Sequence, residues 1–162
     1  MSKQISTILL WLFVINLGIS LGAGLYESKI TFSEWLVYSA EYEYRWNAEA
    51  ARQANTGLRF WVFVTTVPLT LLTLANLTAA LWWGQDSKCY WWVGAAATAL
   101  AERIFTFSYF VPTMVKLMSE SALSQSEAVA MALRWGQLNH LRHIFVLVAW
   151  LLALKAFSLL GK

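Results

Sequence analysis

Four runs of mostly apolar residues, 5–26, 60–83, 90–115 and 138–160, limit what this chain can fold into more than any motif within it. A helix needs about 20 such residues to cross the ~30 Å hydrocarbon core of a bilayer. Composition agrees, with 59% of the 162 residues hydrophobic and 13% charged. In water that balance would leave large apolar patches exposed, whereas a bilayer favours the same surface. We therefore expect an all-α protein: a transmembrane up-and-down four-helix bundle forming one integral membrane domain over residues 1–162. An additional surface helix lies between helices 1 and 2, and the last helix is long.

Charge narrows the partners. The net charge is +3, but the basic residues are scattered singly, so nucleic acid is not an expected partner. Membrane lipid is. Lys29, Arg45, Arg52, Arg59, Lys116 and Arg134 flank the two long connections, against Lys3, Lys88 and Lys162 on the opposite side. The positive-inside rule then places both termini outside the cytoplasm, and the expected location is a bacterial cytoplasmic (inner) membrane. Cys89, the single cysteine, has no intrachain partner and no metal-ligand spacing around it.

The first run is longer than a signal-peptide core and ends at no clear cleavage site, so it reads as a helix. Its Gly18 and Gly22 form a G-x-x-x-G that would let another helix or a second copy of the chain approach. Asn16, Ser20 and Glu27 fall within about 40° on its wheel, a polar line ending in a carboxylate. Residues 32–57 are too polar to span and carry Glu34, Glu41, Glu43 and Glu49 among Trp35, Tyr38, Tyr42, Tyr44 and Trp46. They read as a helical or partly helical segment at the membrane surface, either a plain connection or a lid.

The second helix contains Pro68, which predicts a kink unless the bundle satisfies the freed carbonyl. Asn55, Arg59, Thr66, Thr70 and Thr73 line one side of it to within about 60°. The N-L-T at Asn76 matches a glycosylation sequon but sits inside the apolar run and is discounted. The short turn 84–88 makes helices two and three antiparallel neighbours, bracketed by an interfacial belt of Trp82, Trp83, Tyr90, Trp91 and Trp92.

Glu102 and Arg103 sit near the middle of the third helix, where ionisable groups pair or face a cavity. Glu102, Thr106, Tyr109, Thr113 and Lys116 share a face within about 80°, with Pro112 distorting its lower end. An ion pair locking two helices and a substrate-facing role both fit Glu102. Residues 119–123 read as a loop, and Ser124 with Glu127 as the capping box of a last helix about 55 Å long if it continues to Leu160.

The start of that last apolar run holds the stretch WGQLNHLR, 135–142. Trp135, Asn139 and Arg142 fall within about 60° of one another, and His143 about 40° beyond Asn139. In an up-and-down bundle the ends near Glu27, Arg59 and Lys116 lie on the same side. Glu27, Asn55, Arg59, Tyr109, Asn139, Arg142 and His143 can then line one polar-mouthed cavity between four helices.

F-x-V-P-x-x-x-x-L around Pro112, to which Phe110 is one residue short of a perfect fit, then W-x-x-x-N-x-x-R across Trp135, Asn139 and Arg142, resemble the anthrone-oxygenase-like family of small four-helix membrane proteins. The GAGLYE stretch ending at Glu27 is similar to that family's first-helix ending. The chain departs from the pattern in continuing TMVK after Pro112, and in carrying Glu102 beside Arg103. The resemblance implies a monooxygenase that takes polyketide anthrones to anthraquinones with molecular oxygen and no added cofactor.

Such a reaction needs a base to remove the acidic CH proton, giving a carbanion that reacts with oxygen directly. His143, or alternatively His140, is the candidate base, since an imidazole titrates near neutrality. Asn139 and Arg142 would bind the developing enolate oxygen. Trp135 and Tyr109 would offer flat surfaces to an aromatic substrate, with Glu27, Asn55 and Glu102 as further binding residues.

Other classes remain open on the sequence. No metal site is expected, because both histidines lie on one helix with only Glu27 or Glu102 to supplement them. A non-catalytic scaffold, partner subunit or lipid- or hydrophobe-binding protein competes evenly with the enzyme. A proton-coupled transporter using Glu102 or Glu27 has no repeat or broken-helix pair behind it.

Overall fold

A computed structural model describes residues 3–38, 44–83, 89–119 and 123–160. Glu41, Tyr42 and Glu43 of the surface segment, the turn 84–88, part of the loop before Ser124, and Lys162 lie outside the described residues. Helix α1 covers residues 3–35 as an α-helix Lys3–Tyr26, a π-helical stretch Glu27–Thr31 and a last α-turn Phe32–Trp35. With no proline before residue 68, nothing stops α1 at Tyr26, and it runs nine residues beyond the expected end.

The connection that follows is only partly helical. Strands β1 (Leu36–Val37) and β2 (Arg45–Trp46) pair antiparallel, Leu36 opposite Trp46, which the sequence reading did not foresee. Helix α2 (Ala48–Ala54) begins at Asn47, whose side chain accepts from the Ala50 amide at 3.0 Å, and ends at Asn55 in the left-handed conformation.

Three long helices complete the bundle. Helix α3 covers residues 57–83, π-helical over Gly57–Thr66 and α-helical over Val67–Trp83. Helix α4 covers residues 89–117, with a π-helical stretch Thr106–Phe110 between Cys89–Phe105 and Val111–Leu117. Helix α5 (Gln125–Leu160) is one element of 36 residues, about 54 Å long at 1.5 Å per residue. The capping box forms: Ser124 Oγ and the Ser124 amide both reach Glu127 Oε2, at 2.7 and 2.9 Å. Helices α1 and α3, α3 and α4, α4 and α5, and α5 and α1 pack in turn, closing a four-helix ring.

Among the described residues, three helices are long and apolar enough to cross a membrane, Gln4–Trp35, Gly57–Trp82 and Gln125–Leu159. Helix α4, expected as a fourth span, carries Glu102, Arg103 and Lys116 and is not one of these three.

One half of the bundle is dry and close-packed. Leu10, Phe13 and Leu17 of α1 meet Leu69, Ala79 and Ala80 of α3, Ala95 and Ala99 of α4, and Val146, Ala149 and Ala153 of α5. Small side chains on α4 and α5 let those backbones approach closely. Asn76, discounted as a sequon, is buried there and fully used: its amide donates to the Leu72 carbonyl at 2.8 Å and the Leu9 carbonyl at 3.3 Å, and its oxygen accepts from Trp92 Nε1 at 2.9 Å. Trp92 is therefore a core residue rather than part of the interfacial belt, whereas Trp82, Tyr90 and Trp91 are exposed as expected.

Pro68 cannot donate to the carbonyl four residues back, that of Val64. Asn16 of α1 donates to it instead, at 2.9 Å. Within the chain the two glycines of the G-x-x-x-G face different surroundings. Gly18 faces Trp150, to which a Cβ would lie 3.3 Å away, while Gly22 meets nothing within 4 Å. The close approach falls at Gly24, against His143.

The opposite end is closed by a second core of large rings. Phe32, Trp35 and Trp46 pack with Leu117, Ala128 and Ala132. Phe32 stacks on Trp135 with centroids 5.1 Å apart, beside Gly136, where a Cβ would come within 3.1 Å of the Phe32 ring. Trp46 Nε1 donates to the Leu117 carbonyl at 2.8 Å, satisfying the end of α4. This cap ties the connection between α1 and α3 to the mouth of the bundle.

Candidate functional site

Between the dry half and the aromatic cap lies a cavity of about 380 Å³, within the range of small-molecule sites. The three π-helical stretches surround it. Each is wound by an i+5 backbone bond, Phe32 to Glu27, Val67 to Val62 and Val111 to Thr106, and such wide turns recur at functional sites. The first places Glu27 on the wall, the second Trp61, Val62 and Thr65, and the third Thr106 and Phe110.

Glu27 is buried and held. Its Oε1 accepts from Thr56 Oγ1 at 2.8 Å and from Trp61 Nε1 at 2.7 Å. Arg142 faces the same cavity from α5, its guanidinium 4.9 Å from the centre of the Phe110 ring and 5.7 Å from that of Trp61. Both distances allow cation–π attraction. Among the described residues no carboxylate forms an ion pair with Arg142. The site thus holds a fixed carboxylate and a cation supported by aromatic faces within apolar walls.

Arg103 supplies a second cation, already neutralised. Its Nε lies 2.6 Å from Glu102 Oε2, and Thr106 Oγ1 donates to Glu102 Oε1 at 2.8 Å. Both partners are buried, Glu102 at 1% exposure and Arg103 at 5%. A desolvated pair of this kind holds only while both members remain. Arg103 and Thr106 reach the cavity wall, and Glu102 stands behind them.

The expected site residues divide accordingly. Glu27, Asn55, Trp135 and Arg142 line the cavity; Glu102, Tyr109, Asn139, His143 and Arg59 do not. Tyr109 stacks on Phe105 at 5.9 Å, because the π turn at Thr106–Phe110 changes the phase of the helix and turns Phe110 inward instead. Asn139 and His143 face α1. The Asn139 amide donates to Ser28 Oγ at 2.6 Å, while its oxygen and both His143 nitrogens are buried with no hydrogen-bond partner among the described residues.

His143 occupies the space that Gly24 leaves, where a Cβ would lie 2.7 Å from Nε2. His140 lies on the same helix, its ring centre 6.3 Å from that of His143, and is exposed. The polar face of α5 is therefore split, with Trp135 and Arg142 toward the cavity and Asn139 and His143 toward α1.

Trp61, Thr56, Thr65 and Phe110 are wall residues that the sequence reading missed. Trp61 and Thr65 are four apart on α3, and a wheel run at α-helical pitch from Asn55 passes them by. Among the described residues no three His, Cys, Asp or Glu side chains gather as a metal ion would require.

Fold and site together define an integral membrane protein of the all-α class with a cavity of about 380 Å³ inside its bundle. Residues 58–152, covering α3, α4 and most of α5, match the family model of anthrone oxygenase, and the chain belongs to that family. No curated protein and no solved structure matches the chain. The matched region contributes Trp61, Arg103, Phe110, Trp135 and Arg142 to the cavity, whereas Ser20, Glu27, Asn55, Thr56 and Gly57 precede it.

Proposed function

We propose that the protein binds a flat hydrophobic molecule bearing an acidic CH, of the anthrone type, and oxidises it with molecular oxygen. The observation that carries this reading is the presence, on one cavity wall, of Glu27 and an Arg142 that forms no ion pair with a carboxylate among the described residues. Glu27 takes the base role here in place of His143, because Glu27 lines the cavity and His143 does not.

With Oε1 held by Thr56 and Trp61, Oε2 is the oxygen that takes the proton from the ring CH₂. Arg142 stabilises the enolate oxygen that forms as the charge spreads over the rings, and Phe110 and Trp135 supply flat faces.

The carbanion passes an electron to O₂, and the resulting radical and superoxide combine into a C–O bond. Protonation gives a hydroperoxide. Loss of the second CH proton breaks the O–O bond, leaving a ketone and water. The CH₂ carbon loses four electrons and O₂ gains four, so the overall change, CH₂ + O₂ → C=O + H₂O, needs no further reductant.

The test is conversion of 9-anthrone to anthraquinone by the protein in lipid vesicles, followed by absorbance under air. Relative to the unaltered protein, Glu27→Gln is expected to lower turnover about 10²- to 10⁴-fold and Arg142→Leu about 10²- to 10³-fold. Turnover no faster than protein-free vesicles overturns the oxidation. Anthrone that is bound but unchanged favours the hydrophobe-binding alternative.

A further inference from the structure

The rim of the cavity is as informative as its interior. Of the residues on its wall, the exposed ones are Gly57, Leu58, Phe107, Val111 and Val115, all without a polar side chain, while every polar wall residue is buried or half-buried. A mouth facing water would show the reverse. Leu58 is 63% exposed and Val115 60%, each with one side on the cavity and the other on the outer surface of the bundle.

Phe107, Val111 and Val115 recur every four residues and form one stripe along α4, opposite Leu58 and Val62 on α3. The two helices pack along Val67–Trp83 and Cys89–Phe105. No comparable packing joins Gly57–Thr66 to Thr106–Phe110 or Val111–Leu117. They diverge where the π turns begin, and Gly57–Trp82 is one of the segments able to span the membrane. At the end of the bundle Phe32 packs on Trp46 and on Trp135, and Trp135 lines the cavity there.

We infer that the cavity opens sideways into the lipid between α3 and α4, through a gate of Leu58 and Val62 against Phe107, Val111 and Val115, and takes its ligand from the membrane rather than from water. The inference rests on the proposed reading for the ligand, which it narrows to a lipid-dissolved planar molecule whose single oxygen function meets Arg142 after the apolar body has passed the gate. Such a molecule reaches Glu27 and Arg142 without either charge leaving the bundle, and it partitions to the gate from the hydrocarbon. Without ligand, the same gate admits an acyl chain.

The test uses the full chain reconstituted in phosphatidylcholine vesicles doped with phosphatidylcholine carrying a mid-chain diazirine. After illumination, labelled residues are mapped by mass spectrometry. Thr65 and Thr106 are buried on the cavity wall, so a lipid-borne carbene reaches them only through the gate; Leu71, exposed on α3 away from the cavity, reports ordinary lipid contact. The expected result is labelling at all three, with a severalfold loss at Thr65 and Thr106 but none at Leu71 in a Val111→Trp, Val115→Trp double variant.

If only a water-soluble diazirine labels Thr65 and Thr106 in the unaltered chain, the sideways opening is overturned. Undiminished inner labelling in the double variant overturns it equally. Added 9-anthrone is expected to suppress the inner labels. If lipid labels the inner wall and anthrone does not compete, the sideways opening stands and the anthrone-type reading fails.

Discussion

The two halves of this bundle are built from the same four helices yet pack in opposite ways. Toward the Trp83 and Cys89 ends, α4 and α5 meet through alanines, Ala95 and Ala99 against Ala149 and Ala153, and every hydrogen-bonding atom of the Asn76 amide is used or back-bonded. Toward the other end the helices carry Trp61, Phe110, Met114, Trp135 and Arg142, their turns widen, and a cavity remains. Residue size at the contacts sets the distance between helices. Where it is small the backbones lock, and where it is large the same helices splay and leave a cavity with Glu27 and Arg142 on its wall.

The largest test of that contrast lies at its boundary, in the Glu102–Arg103 pair. Glu102→Leu strands a buried guanidinium and is expected to lower stability by about 3–5 kcal/mol, with much of the loss recovered when Arg103→Met is added. Thermal unfolding of both variants in the same detergent checks it, and a double variant no better than the single would mean that Arg103 is not buried against Glu102.

Overpacking comes next. Ala153→Leu in the dry half should cost about 1–3 kcal/mol. The conservative Val115→Leu at the exposed gate should stay within about 0.5 kcal/mol. Equal losses in an unfolding titration would erase the distinction between the halves.

A comparable but rescuable effect belongs to Gly24. Adding its Cβ places a carbon 2.7 Å from His143 Nε2, so Gly24→Ala must displace the imidazole, at about 1–2 kcal/mol. In a Gly24→Ala, His143→Ala chain the clash is gone, and a double-mutant cycle should show coupling above about 0.5 kcal/mol. Additive losses would show that the two residues do not touch.

The smallest effect sits outside the membrane, on α2. Hydrogen bonds from Arg52 and Gln53 and the charge of Arg52 hold the Glu49 carboxyl below its ordinary range. A carboxyl depressed in the folded state contributes stability above its unfolded pKa and loses that contribution as pH falls through its folded pKa. Glu49→Gln should therefore be slightly less stable than the unaltered chain at neutral pH. The difference should vanish in acid. An acid titration of the two unfolding midpoints reads this directly, and a difference that grows as pH falls would contradict it.

Much of this protein was legible in the chain. The membrane class, the helices and the Ser124–Glu127 cap follow from local chemistry, because apolar run length and capping depend on neighbours in sequence. The β1–β2 pairing was hidden, since two residues per strand leave too short a pattern to read. The Tyr109 placement failed for a different reason. A helical wheel assumes constant pitch, and the π turn at Thr106–Phe110 breaks it.

What the sequence alone determined is therefore which polar residues the lipid-embedded helices carry, and roughly where along each helix they stand. Only the tertiary structure decided how they divide. Glu27, Arg142 and Trp135 were brought to one cavity, Glu102 was spent on Arg103, and Asn139 and His143 were turned to α1. An angle on a wheel names a direction, but what stands in that direction depends on how closely a neighbouring helix can approach and how wide its turns are. Here those were settled by Gly24, the alanines of α4 and α5, and three π turns far apart in the chain.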